Sequence, residues 1–180
     1  MRSLTSDETK QLLEKLSKYI GPNTKHLLDR KDEEWCLRLH KGRIWYMPKK
    51  VAQLASCVAK KNLMGIGVLL AKVTHAGHMR IQITALDYIA QYAVFKVWVK
   101  PNQEQAFMYG NNITRAGLGR ITEDTPQYAG VAVYNMADVP LGFGVSAQST
   151  LQCRKCEMNT NVLFHEADIG SFLRDEARLT

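Results

Sequence analysis

Residues 106–121 read AFMYGNNITRAGLGRI, and the last thirteen of them, Tyr109 to Ile121, hold three of the chain's twelve glycines beside two asparagines and two arginines. Glycine in an ordinary helix or strand interior costs roughly 0.5–1 kcal/mol relative to alanine, so a cluster points to positive φ angles or to something approaching the backbone closely. Two readings stand. In one, Asn111, Asn112, Arg115 and Arg120 offer amides and guanidinium forks to phosphates and base edges, while Gly117 and Gly119 let the chain lie close to RNA. In the other, the glycines turn the corner of a barrel and the arginines are solvated.

Outward from this loop, the C-terminal half alternates apolar and polar residues in short runs. Val94 to Val99, Gly130 to Tyr134, Leu141 to Val145 and Val162 to His165 read as strands, Pro101 starts a short helix carrying Ala106 and Phe107, and Ile169 to Arg174 forms a last helical turn capped by Asp168. Asp138 serves the turn into Pro140. Short strands at close spacing with Gly and Pro punctuation predict a small barrel or sandwich. The N-terminal half is patterned differently. Thr5 to Glu8 has capping-box spacing, and Leu12, Leu13, Leu16 and Ile20 then recur on one helical face until Gly21-Pro22. Trp35 to Leu39 and Arg43 to Met47 alternate around Lys41-Gly42 as a hairpin, and a helix follows Pro48 with Val51, Leu54, Ala55, Val58 and Ala59 on one face. Gly65 to Val73 and Met79 to Ile83 read as strands joined by a turn at His75 to His78, and Thr84 caps a helix running through Tyr92. The fold class is therefore α+β: an N-terminal α/β unit over 1–93, a mostly β unit over 94–172, and a short tail over 173–180.

The chain has 180 residues, 46% hydrophobic and 23% charged, a composition that folds rather than stays disordered. Its longest uncharged apolar run, Leu63 to Ala71, is far short of the roughly 20 residues of a spanning helix, and Met1 to Thr9 lacks an apolar signal core, which reads as an intracellular protein without membrane association. Net charge is +7, favouring an acidic partner. Residues 1–93 carry sixteen Lys/Arg against eight Asp/Glu, and 94–180 carry eight against nine, so the surplus is N-terminal. Lys49, Lys50, Lys60 and Lys61, at the two ends of the helix after Pro48, form a candidate basic surface, or simply a solvated helix face.

Chemistry of other kinds finds little support. Cys36, Cys57, Cys153 and Cys156 are too scattered for a disulfide framework, and one C-x-x-C at 153–156 with one H-x-x-H at 75–78 falls short of a four-ligand zinc site. Gly142-x-Gly144 continues to Ala147 like a dinucleotide fingerprint, yet Gln148 to Gln152 lacks the apolar stripe of the helix that motif requires. Asp87, Asp138, Glu166 and Asp168 assemble no acid–base pair, and His26, His40 and His165 read as structural. No cofactor, metal or catalytic residue is expected.

The quoted loop, together with GVAVYNMADVPLGFGVSAQST at 130–150, VLFHEADIGSFLRDE at 162–176 and MRIQITALDYIAQYA at 79–93, resembles the PUA-containing large-subunit ribosome biogenesis proteins written Nip-seven. The resemblance spans essentially the whole chain. It implies a C-terminal PUA pseudobarrel and a non-catalytic, monomeric, nuclear and nucleolar role in precursor rRNA processing and 60S subunit assembly, with pre-rRNA, pre-60S particles and other nucleolar assembly factors as partners. It also places Lys100, Asn111, Asn112, Arg115, Gly117 and Arg120 near the RNA-facing helix and loop of such a barrel, with Arg154 and Lys155 on a neighbouring segment. Two rivals remain. A protein adaptor with weak RNA binding fits the net −1 of the second half, and an accessory part of an RNA-modifying enzyme fits other chains that carry PUA units.

Overall fold

A computed structural model describes residues 1–30 and 32–175. The chain opens with a two-residue strand β1 (Arg2–Ser3) and helix α1 (Ser6–Ile20). Thr5 and Glu8 close the expected capping box: the Thr5 hydroxyl accepts from the Glu8 amide at 3.3 Å, and the Glu8 carboxylate accepts from the Thr5 amide at 2.9 Å. After a 3-10 turn and the short helix α2 (Thr24–Leu28), β2 (Trp35–His40) and β3 (Arg43–Pro48) form the hairpin, with Lys41 and Gly42 both at positive φ. Helix α3 (Lys49–Ala55) follows, then β4 (Val68–Val73), β5 (Met79–Ile81), a second 3-10 turn and α4 (Leu86–Tyr92). The five strands pair antiparallel in the order β1-β2-β3-β4-β5.

In the second half, β6 (Lys96–Val99) leads to α5 (Pro101–Met108), β7 (Ile113–Thr114), a 3-10 turn at Arg115–Gly117, β8 (Leu118–Ile121), β9 (Gly130–Tyr134), β10 (Pro140–Ser146), α6 (Thr150–Lys155), β11 (Asn161–Asp168) and α7 (Ser171–Arg174). Their sheet runs β7-β11-β10-β9-β6-β8, with β6 parallel to β9 and the other pairs antiparallel. Its two edge strands, β7 and β8, are joined by the three residues Arg115 to Gly117. A six-stranded sheet whose opposite edges are that close must curl almost shut, which is the expected pseudobarrel.

The halves share one core. Leu12, Leu16, Tyr19 and Ile20 of α1 pack in a single buried cluster with Ile44, Leu70 and Ile89 from the first half and Ala132, Tyr134 and Phe143 from the second. Tyr19 meets Phe143 edge to face with ring centroids 5.2 Å apart, and the Tyr134 hydroxyl donates to the Ala90 carbonyl at 2.7 Å.

Several local expectations need correction. Helix α3 stops at Ala55 rather than running to Ala59, because from Ser56 the backbone closes i→i−3 bonds (Ser56 to Gln53, Cys57 to Leu54). Thr84 does not cap α4: it sits in the preceding 3-10 turn and its hydroxyl donates to the Leu69 carbonyl. Asp168 does not cap α7 either, since Gly170 holds that place with no side-chain bond. The segment after β10 is helical where none was expected, and Ser149 and Gln152 form its capping box. The last strand is longer than Val162 to His165, and residues 176–180 of the expected tail lie outside the described residues.

Candidate nucleic-acid interface

The glycine cluster is mostly regular structure, and its glycines answer packing demands. Gly110, with φ of 90°, ends α5. Gly117 is buried without a positive φ: a Cβ there would lie 2.5 Å from the Gln103 side chain. A Cβ at Gly119 would lie 2.7 Å from the Met136 sulfur. What approaches Gly117 is α5, so a larger residue there would part helix from turn.

The structure divides the expected RNA-facing residues into three groups. Lys100, Arg115, Arg154 and Lys155 gather at one end of the barrel. The Lys100 amide donates to the Gly117 carbonyl at 2.9 Å and its ammonium to the Ala116 carbonyl at 3.0 Å. The amides of Arg115 and Ala116 donate to the Thr160 and Met158 carbonyls, both at 2.9 Å, tying the turn to the segment leaving α6. Burial raises the Cys153 thiol above its ordinary range, and the nearby Arg115 guanidinium opposes that shift, so its charge is felt on α6. Arg154 and Lys155 stand exposed in the last turn of α6.

Asn111 and Asn112 lie elsewhere. Asn111 is exposed after α5, but the Asn112 side-chain carbonyl accepts from the His165 amide at 2.9 Å, so this asparagine fastens the loop to β11. Arg120 occupies a third place, stacked 4.7 Å over the Trp98 ring and 4.0 Å from the Asp138 carboxylate. The sequence reading missed Leu151 and Met158, which are 68% and 65% exposed on either side of Arg154 and Lys155. The Ser149-x-x-Gln152 spacing would have revealed the helix that presents Leu151, whereas Met158 lies in the turn beyond it.

The lysines of the first half are less uniform than expected. Lys49 pairs with Glu34 at 2.7 Å and Lys50 with Glu33 at 3.4 Å. Lys60 and Lys61 are exposed in the turn beyond α3 and not at its end. The carboxylates in question are also committed: Asp168, fully buried, receives Arg174 at 2.9 Å and His165 at 2.7 Å, which links α7 to β11. Among the described residues no group of three or more His, Cys, Asp or Glu is placed to hold a metal ion, and no helix is long and apolar enough to cross a membrane.

Comparison with known proteins fits this geometry. Residues 95–177 match the model of the UPF0113 PUA domain, and residues 1–83 match the NIP7/UPF0113 pre-PUA domain. The chain is 54% identical over 180 residues, all of both chains, to a 60S ribosome subunit biogenesis protein NIP7 homolog of Tetraodon nigroviridis, and 52% identical over 179 residues, 99% of both, to that of Schizosaccharomyces pombe. The chain belongs to the NIP7 family. Members of the NIP7 family are biogenesis factors without catalytic activity. The NIP7 architecture is shared with a PUA-domain protein of Aeropyrum pernix K1, at 15% identity, TM-score 0.63, and 99% and 90% coverage of the two chains. A conserved PUA-domain protein of Thermoplasma acidophilum has the same fold at 13% identity, TM-score 0.56 and 94% coverage of each.

Proposed function

We propose that this protein acts in assembly of the 60S ribosomal subunit by binding precursor rRNA at the end of its PUA barrel, and that it supports pre-rRNA processing without catalysing it. The observation that carries the reading is the convergence of Lys100, Arg115, Arg154 and Lys155 on one end of a barrel whose full-length relatives are named for 60S biogenesis. Guanidinium and ammonium groups there meet phosphates, while exposed Leu151 and Met158 meet unstacked bases. Arg120 and Asn112, held by Trp98 and His165, are supports of the barrel more than contacts. The protein works as a monomer within nucleolar pre-60S particles, alongside other assembly factors.

Ultraviolet crosslinking in cells, with mass spectrometry of the crosslinked peptides, tests this. Crosslinks to precursor large-subunit rRNA are expected at peptides holding Lys100, Arg115 and residues 151–158. Cosedimentation with pre-60S particles without any rRNA crosslink would overturn the reading in favour of a protein adaptor, for which Leu54 on α3 and Met64 in the segment leading to β4, 72% and 69% exposed, are the specific support.

A further inference from the structure

The surplus positive charge of the first half has a definite place. Strand pairing sets Arg43 of β3 opposite Lys72 of β4, and Lys72 opposite Arg80 of β5. Their neighbours Ile44, Ala71, Met79 and Ile81 pack into the shared core, so the three cations stand together on the opposite face of the sheet. Adjacent strands lie about 4.8 Å apart, and like charges directly opposite each other destabilise a sheet. Lys72 and Arg80 are exposed, with no carboxylate within ion-pair distance among the described residues.

The row does not end at the sheet edge. Arg80 also lines a groove of about 660 Å³ between the two halves, opposite Lys15 and Lys18 of α1. The other charged or titratable groups lining it are Glu166, Asp175, His165 and Tyr19. The Tyr19 hydroxyl donates to Glu166, whose partial burial raises its pKa while Lys18 and Lys15 pull the other way, so this one carboxylate sits within reach of both lysines. A line of cations therefore crosses three strands and turns over the edge strand into a concave cleft. A row of cations whose neighbouring rings, the buried Tyr19 and the half-buried His165, are held by Glu166 and Asp168 suits a polyanion read by its charge, not by its bases.

We propose that Lys72, Arg80, Lys18 and Lys15, continued by Arg43, form a second RNA track that grips the phosphodiester backbone of single-stranded RNA passing between the N-terminal sheet and the barrel. The track rests on the RNA-binding reading above and adds sequence-independent contacts remote from Arg115 and Arg154. Each phosphate contact contributes a slope of roughly 0.7 to the fall of log affinity with log salt.

The test is the salt dependence of binding to a 20-nucleotide oligouridylate, followed by fluorescence anisotropy on the full chain. Lys72→Gln with Arg80→Gln, and separately Lys15→Gln with Lys18→Gln, are each expected to flatten the slope by about 1.4 units, two contacts' worth. The charge-matched Lys10→Gln with Lys25→Gln is expected to leave it near the parent value. Equal slopes in all three variants, with intact binding by the parent, would overturn the track while leaving the barrel site standing. Loss of binding to a polyglutamate peptide in the first two variants, with RNA binding unchanged, would assign the groove to an acidic protein and also overturn it. A parent chain that binds no RNA would remove both proposals.

Discussion

On the rim of the five-stranded sheet Lys49 and Glu34 lie 2.7 Å apart with 55% and 77% of their side chains exposed, whereas in the six-stranded sheet Asp168 is 1% exposed and sits between Arg174 and His165. The open sheet wears its charges in water, where pairs form and break cheaply and Lys72 and Arg80 can stand side by side. The barrel uses charge as mortar. That difference shows why net charge by half is a poor guide to where a polyanion binds: the near-neutral barrel reaches its balance partly through buried pairs, and its cations at 100, 115, 154 and 155 remain outward. The sharpest way to break the contrast is to ask whether the two sheets are separate bodies at all. Phe143 is 1% exposed in the cluster shared with α1, so Phe143→Ala is expected to cost about 3–5 kcal/mol. Unfolding by urea should stay a single transition, with the fluorescence of Trp35 and Trp45 in the first sheet moving together with that of Trp98 in the second. Two separated transitions would show that the common core does not couple them.

A smaller effect sharpens the difference in how charge is used. Asp168→Ala leaves Arg174 and His165 without their shared carboxylate. Full burial of an unpaired charge would cost about 3–5 kcal/mol, but Arg174 is 38% exposed and can turn to water, so about 2–3 kcal/mol is expected by chemical denaturation. Glu34→Ala, which breaks an exposed pair, should leave the denaturation midpoint almost unmoved. Equal losses from the two substitutions would mean that burial does not distinguish the sheets.

What the sequence made legible was local. The capping box at Thr5 and Glu8, the Lys41-Gly42 hairpin turn and the helix after Pro101 depend on residues a few positions apart, and each forms as read. The resemblance supplied the pseudobarrel, but not the parallel pairing of β6 with β9 or the meeting of both sheet edges at Arg115 to Gly117, which arise from contacts across the fold. The candidate site was legible in its residue types and illegible in its grouping. Asn112 and Arg120 look as available as Arg115 in the chain, until His165, fifty-three residues on, and Trp98 engage them. Lys49 and Lys50 look free until Glu34 and Glu33 fold back onto them. Conversely, Lys72 and Arg80 look ordinary until the register sets them side by side.

The finest distinction concerns the N-terminus, where the first half does hold one carboxylate tightly. Glu8 accepts from Arg2 at 2.6 and 2.8 Å and from the Thr5 amide, and these bonds, the Arg2 bond foremost, lower its pKa from 4.5 to about 2. A carboxylate whose folded pKa is depressed contributes stability above its unfolded value and loses it as pH falls through the folded one, here between about 4.5 and about 2. Glu8→Gln keeps a side chain able to close the capping box but removes the charge facing Arg2. Above pH 5 the variant should melt about 2 °C below the parent, a figure already reduced because the Arg2 side chain is 52% exposed and solvent screens the pair. Between pH 4.5 and pH 2 the two melting curves should converge as the parent's carboxyl takes up its proton. A gap that persists unchanged to pH 2 would mean that the neutral capping geometry, and not the ion pair, fastens α1, leaving the buried Asp168 cluster of the barrel without any counterpart in the open sheet.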